Sequence, residues 1–292
     1  MVDERMSSSW GMLYCPRDHS HLEEVNEGLR CPSCSCTYPV VDGVPDLLVD
    51  DPGNELDDYF RRWRTKSIED ANTDDFARAQ QGTFLERTFH NRRLASYRRL
   101  LARAIHGREL GLVVDLGFGT GYTIDIHPPC ERLIGLEISL DNIATCRKNM
   151  GDRCPSLVRS DVYSLPFDDG SVDMLTMFYV FHRLQQDMLM REVKRVLRPG
   201  GVFVFSAPWQ YAYLWHQGVR RMFHRLGIFS DSPEMRISFD VPIMRFSTSD
   251  VRFLAYEVPG IRCKEAYVVP SLMEIHVVFV KEDKPGTSAC PG

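Results

Sequence analysis

The glycine-rich stretch VVDLGFGTGYT, residues 113–123, could bring a ligand close to the main chain. Its apolar run ends at Asp115, and Gly117, Gly119 and Gly121 then occupy alternate positions. Glycine adopts backbone conformations that other residues avoid, and its lack of a side chain lets a ligand approach the backbone closely. The stretch therefore predicts a ligand-binding turn directly after a strand.

The spacing of the three glycines separates this turn from two common nucleotide-binding turns. A dinucleotide-binding turn has a small residue in the third place of G-x-G-x-x-G, where this chain has Tyr122. A phosphate-binding P-loop ends in Gly-Lys followed by Ser or Thr, and no such sequence follows here. The turn alone does not identify the ligand, so the residues after the next strands must do so.

Two acids follow the next apolar, strand-like segments. Glu137 stands near the end of RLIGLEI, where an acid can accept hydrogen bonds from both hydroxyls of a ribose. Asp161 follows SLVR, and its carboxylate could accept from an adenine amino group while the Val162 N–H donates to a ring nitrogen. These residues predict a nucleoside site at the ends of neighbouring strands.

A second group of residues, within 11–50, has the chemistry of a metal site. This segment holds four of the nine cysteines, including the Cys31-x-x-Cys34 pair and Cys15 upstream of it. A zinc ribbon needs four ligands from two such knuckles, and four protein ligands make the zinc structural. We predict zinc on Cys15, His19, Cys31 and Cys34. The alternatives for the fourth ligand are His21, Asp18 or, in a rearranged knuckle, Cys36, and a ribbon that folds without metal remains a further alternative.

The elements that must position these residues follow from the pattern of apolar residues. From residue 111 onward, apolar strand-like runs alternate with amphipathic segments, which indicates a mostly parallel sheet with helices on both faces. Residues 54–110 carry apolar positions at helical spacing.

The composition excludes several classes of protein. It is that of a globular protein, 43% hydrophobic and 26% charged, with no apolar run near the roughly 20 residues that span a bilayer. No secretory signal is visible, so we expect a cytoplasmic protein without a membrane partner. A net charge of −5 gives a nucleic-acid partner no general support.

The order of these parts resembles that of the class I S-adenosylmethionine-dependent methyltransferases of the type 11-like group. The shared parts are the D-x-G-x-G-x-G turn from Asp115, Glu137, Asp161-Val162, the segment SLPFDDGSVD and the turn L-R-P-G-G. The resemblance implies an α/β fold with a Rossmann-like, doubly wound, mostly parallel sheet of seven strands. It also implies S-adenosylmethionine as the methyl donor. The residues expected to bind it are Asp115, Gly117, Phe118, Gly119, Gly121, Glu137, Ile138, Asp161, Val162 and Phe178.

The cysteine-rich segment and its tail YPVVDGVPDLL resemble the small zinc-ribbon domains of the Trm112-like type. We therefore predict a zinc-ribbon-like module over residues 1–50 and a helical linker or cap over 51–110. The methyl-donor-binding domain is expected over 111–282, with an insert at 209–245, and a disordered tail over 283–292. The oligomeric state is left open.

Two features depart from the family pattern. Phe118 stands where the family mostly has a small residue, and it could press on the methionine arm of the donor or on the substrate. Pro128 and Pro129 come soon after Gly121, and proline disfavours helix at and before His127. The first helix of the domain is therefore expected to have two turns at most, or to be an irregular loop.

The methyl acceptor is expected to be a small organic molecule, of a natural-product, lipid-like or quinone-like kind. The insert is dense in aromatic residues and methionine, which suits an apolar lid over such a molecule. A nucleophilic oxygen or nitrogen of the acceptor would lose a proton, and a histidine could take it. The candidates for this base are His182, His216 and His224, and Tyr179 could orient the substrate.

Two other functions remain open at this stage. Residues 87–103 contain six arginines and no acid, and at helical spacing they could contact the phosphates of a ribosomal or transfer RNA that is methylated on a base. The shortened first helix also leaves room for a protein that binds S-adenosylmethionine without transferring its methyl group.

Overall fold

Two sheets organise the part of the chain that the computed structural model describes, which comprises residues 10–26, 28–49, 80–209, 258–272 and 274–283. The smaller sheet is antiparallel, with its four strands in the order β1-β2-β3-β4. Its strands are β1 Glu23–Val25, β2 Gly28–Arg30, β3 Thr37–Val41 and β4 Val44–Pro45. Asp42 and Gly43 join β3 to β4 with positive φ at both positions, as a tight two-residue hairpin requires.

The larger sheet has seven strands in the order β10-β11-β9-β8-β5-β6-β7. The strands are β5 Leu112–Leu116, β6 Arg132–Glu137, β7 Ser156–Arg159, β8 Val172–Phe178, β9 Leu197–Pro208, β10 Ile261–Val269 and β11 Glu274–Lys281. Strands β5 to β9 pair in parallel, and β11 pairs antiparallel with β9 and β10. Every residue of β5 and β8 is buried, as expected for strands covered on both faces. The predicted Rossmann-like sheet is confirmed.

Three α-helices lie entirely within the described residues: α1 Phe84–Ile105, α2 Leu140–Met150 and α3 Gln186–Val196. Helix α1 begins at a capping box, in which the Thr83 hydroxyl accepts from the Glu86 N–H and the Glu86 carboxylate accepts from Thr83. The Ser139 side chain caps α2 by accepting from the Asn142 N–H. None of the helices in the described ranges has the length and apolar character that a bilayer crossing requires.

The connection between β5 and β6 contains only a single 3₁₀ turn, Ile124–Ile126. His127 after it has an extended backbone, as the following prolines favour. The prediction of a shortened first helix is therefore confirmed. The L-R-P-G-G turn is also altered, because α3 ends at Val196 and these residues already belong to β9, where the pairing register with β8 shifts.

The small sheet packs directly on the large one. Trp10, Leu13 and Leu29 belong to the same buried cluster as Leu165 and Phe167 of the larger unit. Backbone hydrogen bonds also cross the contact, from the Tyr14 N–H to the Pro166 carbonyl (3.0 Å) and from the Leu47 N–H to the Arg159 carbonyl (2.8 Å). The two sheets therefore share one core. Residues 51–79, the insert after Trp209 and the tail after residue 283 lie outside the described residues, together with the predictions made for them.

Candidate cofactor and acceptor site

The glycine turn lies where the order of the parallel strands reverses, after β5 and between β6 and β8. Gly117, Gly119 and Gly121 have φ values of +71°, +57° and +95°, a region that favours glycine. A Cβ on Gly117 would lie 3.1 Å from Val180, and one on Gly121 would lie 2.9 Å from the Sγ of Cys146. A Cβ on Gly119 would meet nothing within 4 Å. The middle of the turn therefore faces open space that a ligand can enter.

Glu137 ties this turn to the end of β6. Its buried carboxylate accepts from the N–H groups of Gly119 (3.0 Å), Ile138 (2.9 Å) and Ser139 (3.0 Å), and from the side chain of Asn142. Burial raises the pKa of Glu137, and these donors act in the opposite direction. A ribose hydroxyl would replace one of the four donors on this carboxylate.

Asp115 faces inward, toward β8 and the short connection. It is 1% exposed and accepts from the hydroxyls of Thr176 (2.9 Å) and Thr123 (2.8 Å). The Nε2 of His127 lies 2.9 Å from the Thr176 hydroxyl and 3.8 Å from the Asp115 carboxylate. Asp115 therefore joins the end of β5 to the connection that replaces the first helix.

Asp161 and Val162 follow β7, next to the end of β6. The Asp161 carboxylate accepts from the Tyr163 N–H (3.0 Å), and the Ser160 N–H donates to the Glu137 carbonyl (3.1 Å). Both Asp161 and Val162 are largely buried. The structure thus brings the two acids predicted for the nucleoside to neighbouring strand ends.

Phe118 is not on the open side of the turn. Its ring is buried and packs with Ile124 and Ile143, against the position that a Cβ on Gly135 would occupy. This packing does not favour the expectation that the ring presses on the donor or the substrate, which stays a prediction. A large residue fits between the first two glycines because Gly135 leaves space for it in the middle of β6.

The end of β8 carries two aromatic residues with different surroundings. Phe178 is buried and stacks on Tyr97 at 4.3 Å between ring centroids. Tyr179 is 37% exposed, with φ +64°, and its N–H donates to the carbonyl (3.1 Å) and hydroxyl (3.2 Å) of Ser206. The Arg93 guanidinium lies 4.8 Å from the centre of the Tyr179 ring. Positive φ is unusual for tyrosine, so the surrounding contacts must stabilise this backbone conformation. The conformation places the partly exposed Tyr179 side chain at the switch point of the sheet.

A buried polar network, which the sequence patterns did not predict, lies beneath Tyr179. The Arg93 Nε lies 2.7 Å from the Glu274 carboxylate in an ion pair. The Tyr97 hydroxyl donates to the same carboxylate (2.8 Å), and the Nε2 of His276 lies 3.3 Å from it. The Ser206 hydroxyl donates to Tyr97 (3.0 Å). The network joins α1 to β9 and β11. The sequence contains one indication of this network, because the polar residues Glu274 and His276 interrupt the apolar strand β11.

Of the candidate bases, His182 lies within the described residues. His182 is 2% exposed, and burial, with a smaller effect of Arg183, lowers the pKa of its ring to about 3. Such a ring is neutral at pH 7 and a weak base, so the geometry does not support the expectation that His182 takes the acceptor proton. His216 and His224 lie outside the described residues.

A candidate metal site lies in the small sheet. The Sγ atoms of Cys15, Cys31 and Cys34 and a carboxylate oxygen of Asp18 all lie within 4.8 Å of one another. Asp18 takes the place expected for His19, which is exposed and is not part of this group. The Ser20 N–H donates to Asp18 (3.0 Å) and is the main cause of its lowered pKa. This hydrogen bond holds the carboxylate near the thiols.

The fold and the turn together define a class of protein: a doubly wound, Rossmann-like domain with an open glycine turn at its switch point. More particularly, residues 114–205 match the family model described as a methyltransferase domain. This part of the chain is therefore similar to the methyltransferase domain family.

Known proteins agree with this assignment. A probable S-adenosylmethionine-dependent methyltransferase of Mycolicibacterium smegmatis is 37% identical over 116 residues, which are 38% of this chain and 42% of that protein. The chain spans about two fifths of the length of the curated relatives that it matches.

Solved structures share the fold at low sequence identity. The magnesium protoporphyrin IX methyltransferase of Synechocystis PCC 6803, with bound SAH, has a TM-score of 0.56 and 14% identity over 77% of this chain and all of that one. A chain from the complex of the Haloferax volcanii Trm112 methyltransferase activator with a methyltransferase has a TM-score of 0.51. It is 20% identical and covers 72% of this chain and 98% of its own.

Proposed function

We propose that this protein transfers the methyl group of S-adenosylmethionine to an oxygen, nitrogen or carbon nucleophile of a small organic acceptor. The observation that carries the proposal is the open middle of the glycine turn, with the Glu137 carboxylate bound to the same turn. S-adenosylmethionine carries no phosphate, so its site needs close backbone approach and an acid for the ribose, and it needs no cationic loop. This turn offers both features.

Each part of the donor has a candidate partner. The methionine arm would lie over Gly119, the ribose at Glu137, and the adenine beside Asp161 and the Val162 N–H. Ile138 and Phe178 would flank the site. We assign Asp115 an indirect role, because its carboxylate already binds Thr123 and Thr176.

The acceptor would lie at the exposed side of Tyr179, where β8 ends. The sulfonium is a strong electrophile and leaves as a neutral thioether, so holding the nucleophile in line with the methyl group supplies most of the catalysis. The weak basicity of His182 agrees with a reaction that proceeds by proximity.

Calorimetric titration with S-adenosylhomocysteine tests the donor site. A Gly119→Ala variant places a methyl group in the open space, and we expect it to lose measurable binding. Gly151→Ala is the matched control, because Gly151 also has a positive φ (+53°) and nothing within 4 Å of its would-be Cβ. The proposal fails if the wild-type protein does not bind, or if both variants bind like the wild type. Binding without methyl transfer to any small acceptor would favour a non-methylating role.

An RNA acceptor is the second candidate, and exposed arginines on α1 favour it. Five of the six arginines predicted to face phosphates are exposed; the sixth, Arg93, is buried in the ion pair with Glu274. An RNA enzyme should bind RNA at low salt and lose affinity steeply as salt is added. Absence of RNA binding at low salt would reject this candidate.

We also propose that Cys15, Asp18, Cys31 and Cys34 hold one structural zinc ion. Three thiolates and one carboxylate fill a tetrahedral site and leave no position open for water, which is the pattern of structural zinc. Metal analysis should give about one zinc per chain. Cys31→Ser should lose it, while Cys36→Ser, outside the group, should retain it.

A further inference from the structure

Two cysteines outside the metal group lie together behind the glycine turn. Cys146 is in α2 and fully buried, while Cys154 follows the 3₁₀ turn Gly151–Arg153 and is half-buried. Cys154 packs against the buried cluster that contains Cys146, and a hydrogen bond joins the two thiols. The pair is therefore close enough to react and is partly accessible to a small molecule.

The surroundings make the two thiols unequal. The hydrogen bond from Cys146 and the nearby charge of Arg147 lower the pKa of Cys154, although burial opposes them. The same hydrogen bond, together with burial, raises the pKa of Cys146. Cys154 is therefore the thiol that ionises first and attacks, because the thiolate is the reactive form.

Cys146 also touches the glycine turn. Its Sγ lies 2.9 Å from the position of a Cβ on Gly121, and Met150 lies 3.1 Å from the same position. Gly121 is two residues from Gly119, where the donor is proposed to lie. A change in the position of this sulfur therefore bears directly on the backbone of the turn.

We propose that Cys146 and Cys154 form a redox-active thiol pair, and that closing their disulfide weakens binding of the methyl donor at the glycine turn. The second half of this proposal rests on the proposed function. The disulfide shortens the sulfur–sulfur distance to about 2.05 Å, so the Cys146 sulfur moves toward Cys154 and its packing against Gly121 changes. The turn then loses part of its support.

The oxidant is a low-molecular-weight disulfide. The Cys154 thiolate attacks one sulfur of the oxidant, forms a mixed disulfide and releases one thiolate. The Cys146 sulfur then attacks Cys154, the mixed disulfide breaks, and the second thiolate leaves. Two electrons pass from the two cysteines to the oxidant, and the two thiol protons end on the two released thiols.

Peptide mapping tests the pair without reference to cofactor binding. The zinc-loaded full chain is incubated with oxidised glutathione, the remaining thiols are alkylated, and the protein is digested with trypsin. Cleavage after Arg132, Arg147, Arg153 and Arg159 places Cys146 in peptide 133–147 and Cys154 in peptide 154–159. We expect a linked pair of these peptides that dithiothreitol separates. Failure to find the linked pair in the wild-type protein would overturn the proposal.

Titration with S-adenosylhomocysteine tests the effect on the turn. We expect oxidation to weaken the affinity of the wild-type protein for S-adenosylhomocysteine roughly fivefold or more. This is at the lower end of measured couplings between sites. The Cys154→Ser variant should show no such change, whereas Cys130→Ser, a half-buried cysteine outside the pair, should respond like the wild type. Equal affinity in both redox states would refute the coupling. If neither state binds, the proposed function fails, while the linked peptides still decide whether the thiol pair exists.

Discussion

The side chain of His182 illustrates how burial sets the chemistry of a single residue. Its ring sits in a 3₁₀ turn after β8, and the neutral form is the only one that the buried surroundings tolerate at neutral pH. The Tyr179 ring lies edge-on at 5.3 Å, so the histidine packs against the residue that is proposed to face the acceptor. We therefore assign His182 a positioning role.

This assignment predicts a pH dependence of stability. The folded-state pKa is about 3 against an ordinary 6.5, so below pH 6.5 the unfolded chain takes up a proton that the folded chain does not. The free energy of unfolding should fall by about 2 kcal/mol between pH 7 and pH 5 from this residue alone. Urea denaturation at the two pH values should show a smaller decrease for His182→Gln. His106→Asn, at an exposed helix end, should behave like the wild type, and equal decreases in all three proteins would contradict the assignment.

At the scale of elements, the connection between β5 and β6 replaces a helix with side-chain hydrogen bonds. Asp115, Thr123 and Thr176 join the end of β5, the 3₁₀ turn and β8. These hydrogen bonds fix the chain after Gly121, a role that the first turns of a helix would otherwise have.

Removing one of these hydroxyls should therefore loosen the connection. Thr123→Val keeps the shape of the side chain but leaves the buried Asp115 carboxylate short of one donor, so we expect a loss of about 1–3 kcal/mol in the free energy of unfolding. Urea denaturation measures this loss. Thr88→Val removes an exposed hydroxyl on α1 and should cost distinctly less. A similar cost for both variants would argue against the role of the Asp115 contacts.

The docking of α1 depends on one buried ion pair. Arg93→Leu should destabilise the protein by about 3–5 kcal/mol, because it leaves Glu274 buried without its cation. Chemical denaturation provides the measurement, and Arg98→Leu on the exposed face of the same helix is the control. A small effect at Arg93 would show that the Tyr97 and His276 contacts suffice for Glu274.

Much of this arrangement was predictable from sequence, and the exceptions have physical causes. The parallel strands, the glycine turn, the positions of Glu137 and Asp161 and the shortened first helix follow from local patterns. The choice of Asp18 over His19 depends on the hydrogen bond from Ser20, which the spacing of ligands does not specify. The Arg93–Glu274 pair joins residues 181 positions apart, and the place of Phe118 depends on the space at Gly135 in another strand.

At the scale of the whole molecule, the small sheet and the large sheet share a core and a charged contact. Arg159 pairs with Asp46 at 2.7 Å and also donates to the Ile138 carbonyl beside the proposed ribose site. Arg147 donates to the Asp42 carbonyl (2.5 Å). These contacts connect the small sheet to the ends of β6 and β7 and to α2.

Removal of the proposed zinc should thus affect the entire protein. We expect a chelator to lower the temperature of a single unfolding transition measured by scanning calorimetry, because the small sheet does not unfold independently of the shared core. The Cys31→Ser variant should show the lowered temperature without chelator, and Cys36→Ser should unfold like the wild type. A separate early transition, with the main one unchanged, would show that the two sheets are independent.

The bridge between Asp46 and Arg159 has a consequence for synthesis and solubility. Strand β7 lies at one margin of the large sheet, and unpaired margins of sheets can recruit strands of other chains and start aggregation. The small sheet covers this margin through Leu47. Because residues 10–49 leave the ribosome before β7, the segment that covers this margin is already synthesised when that strand emerges.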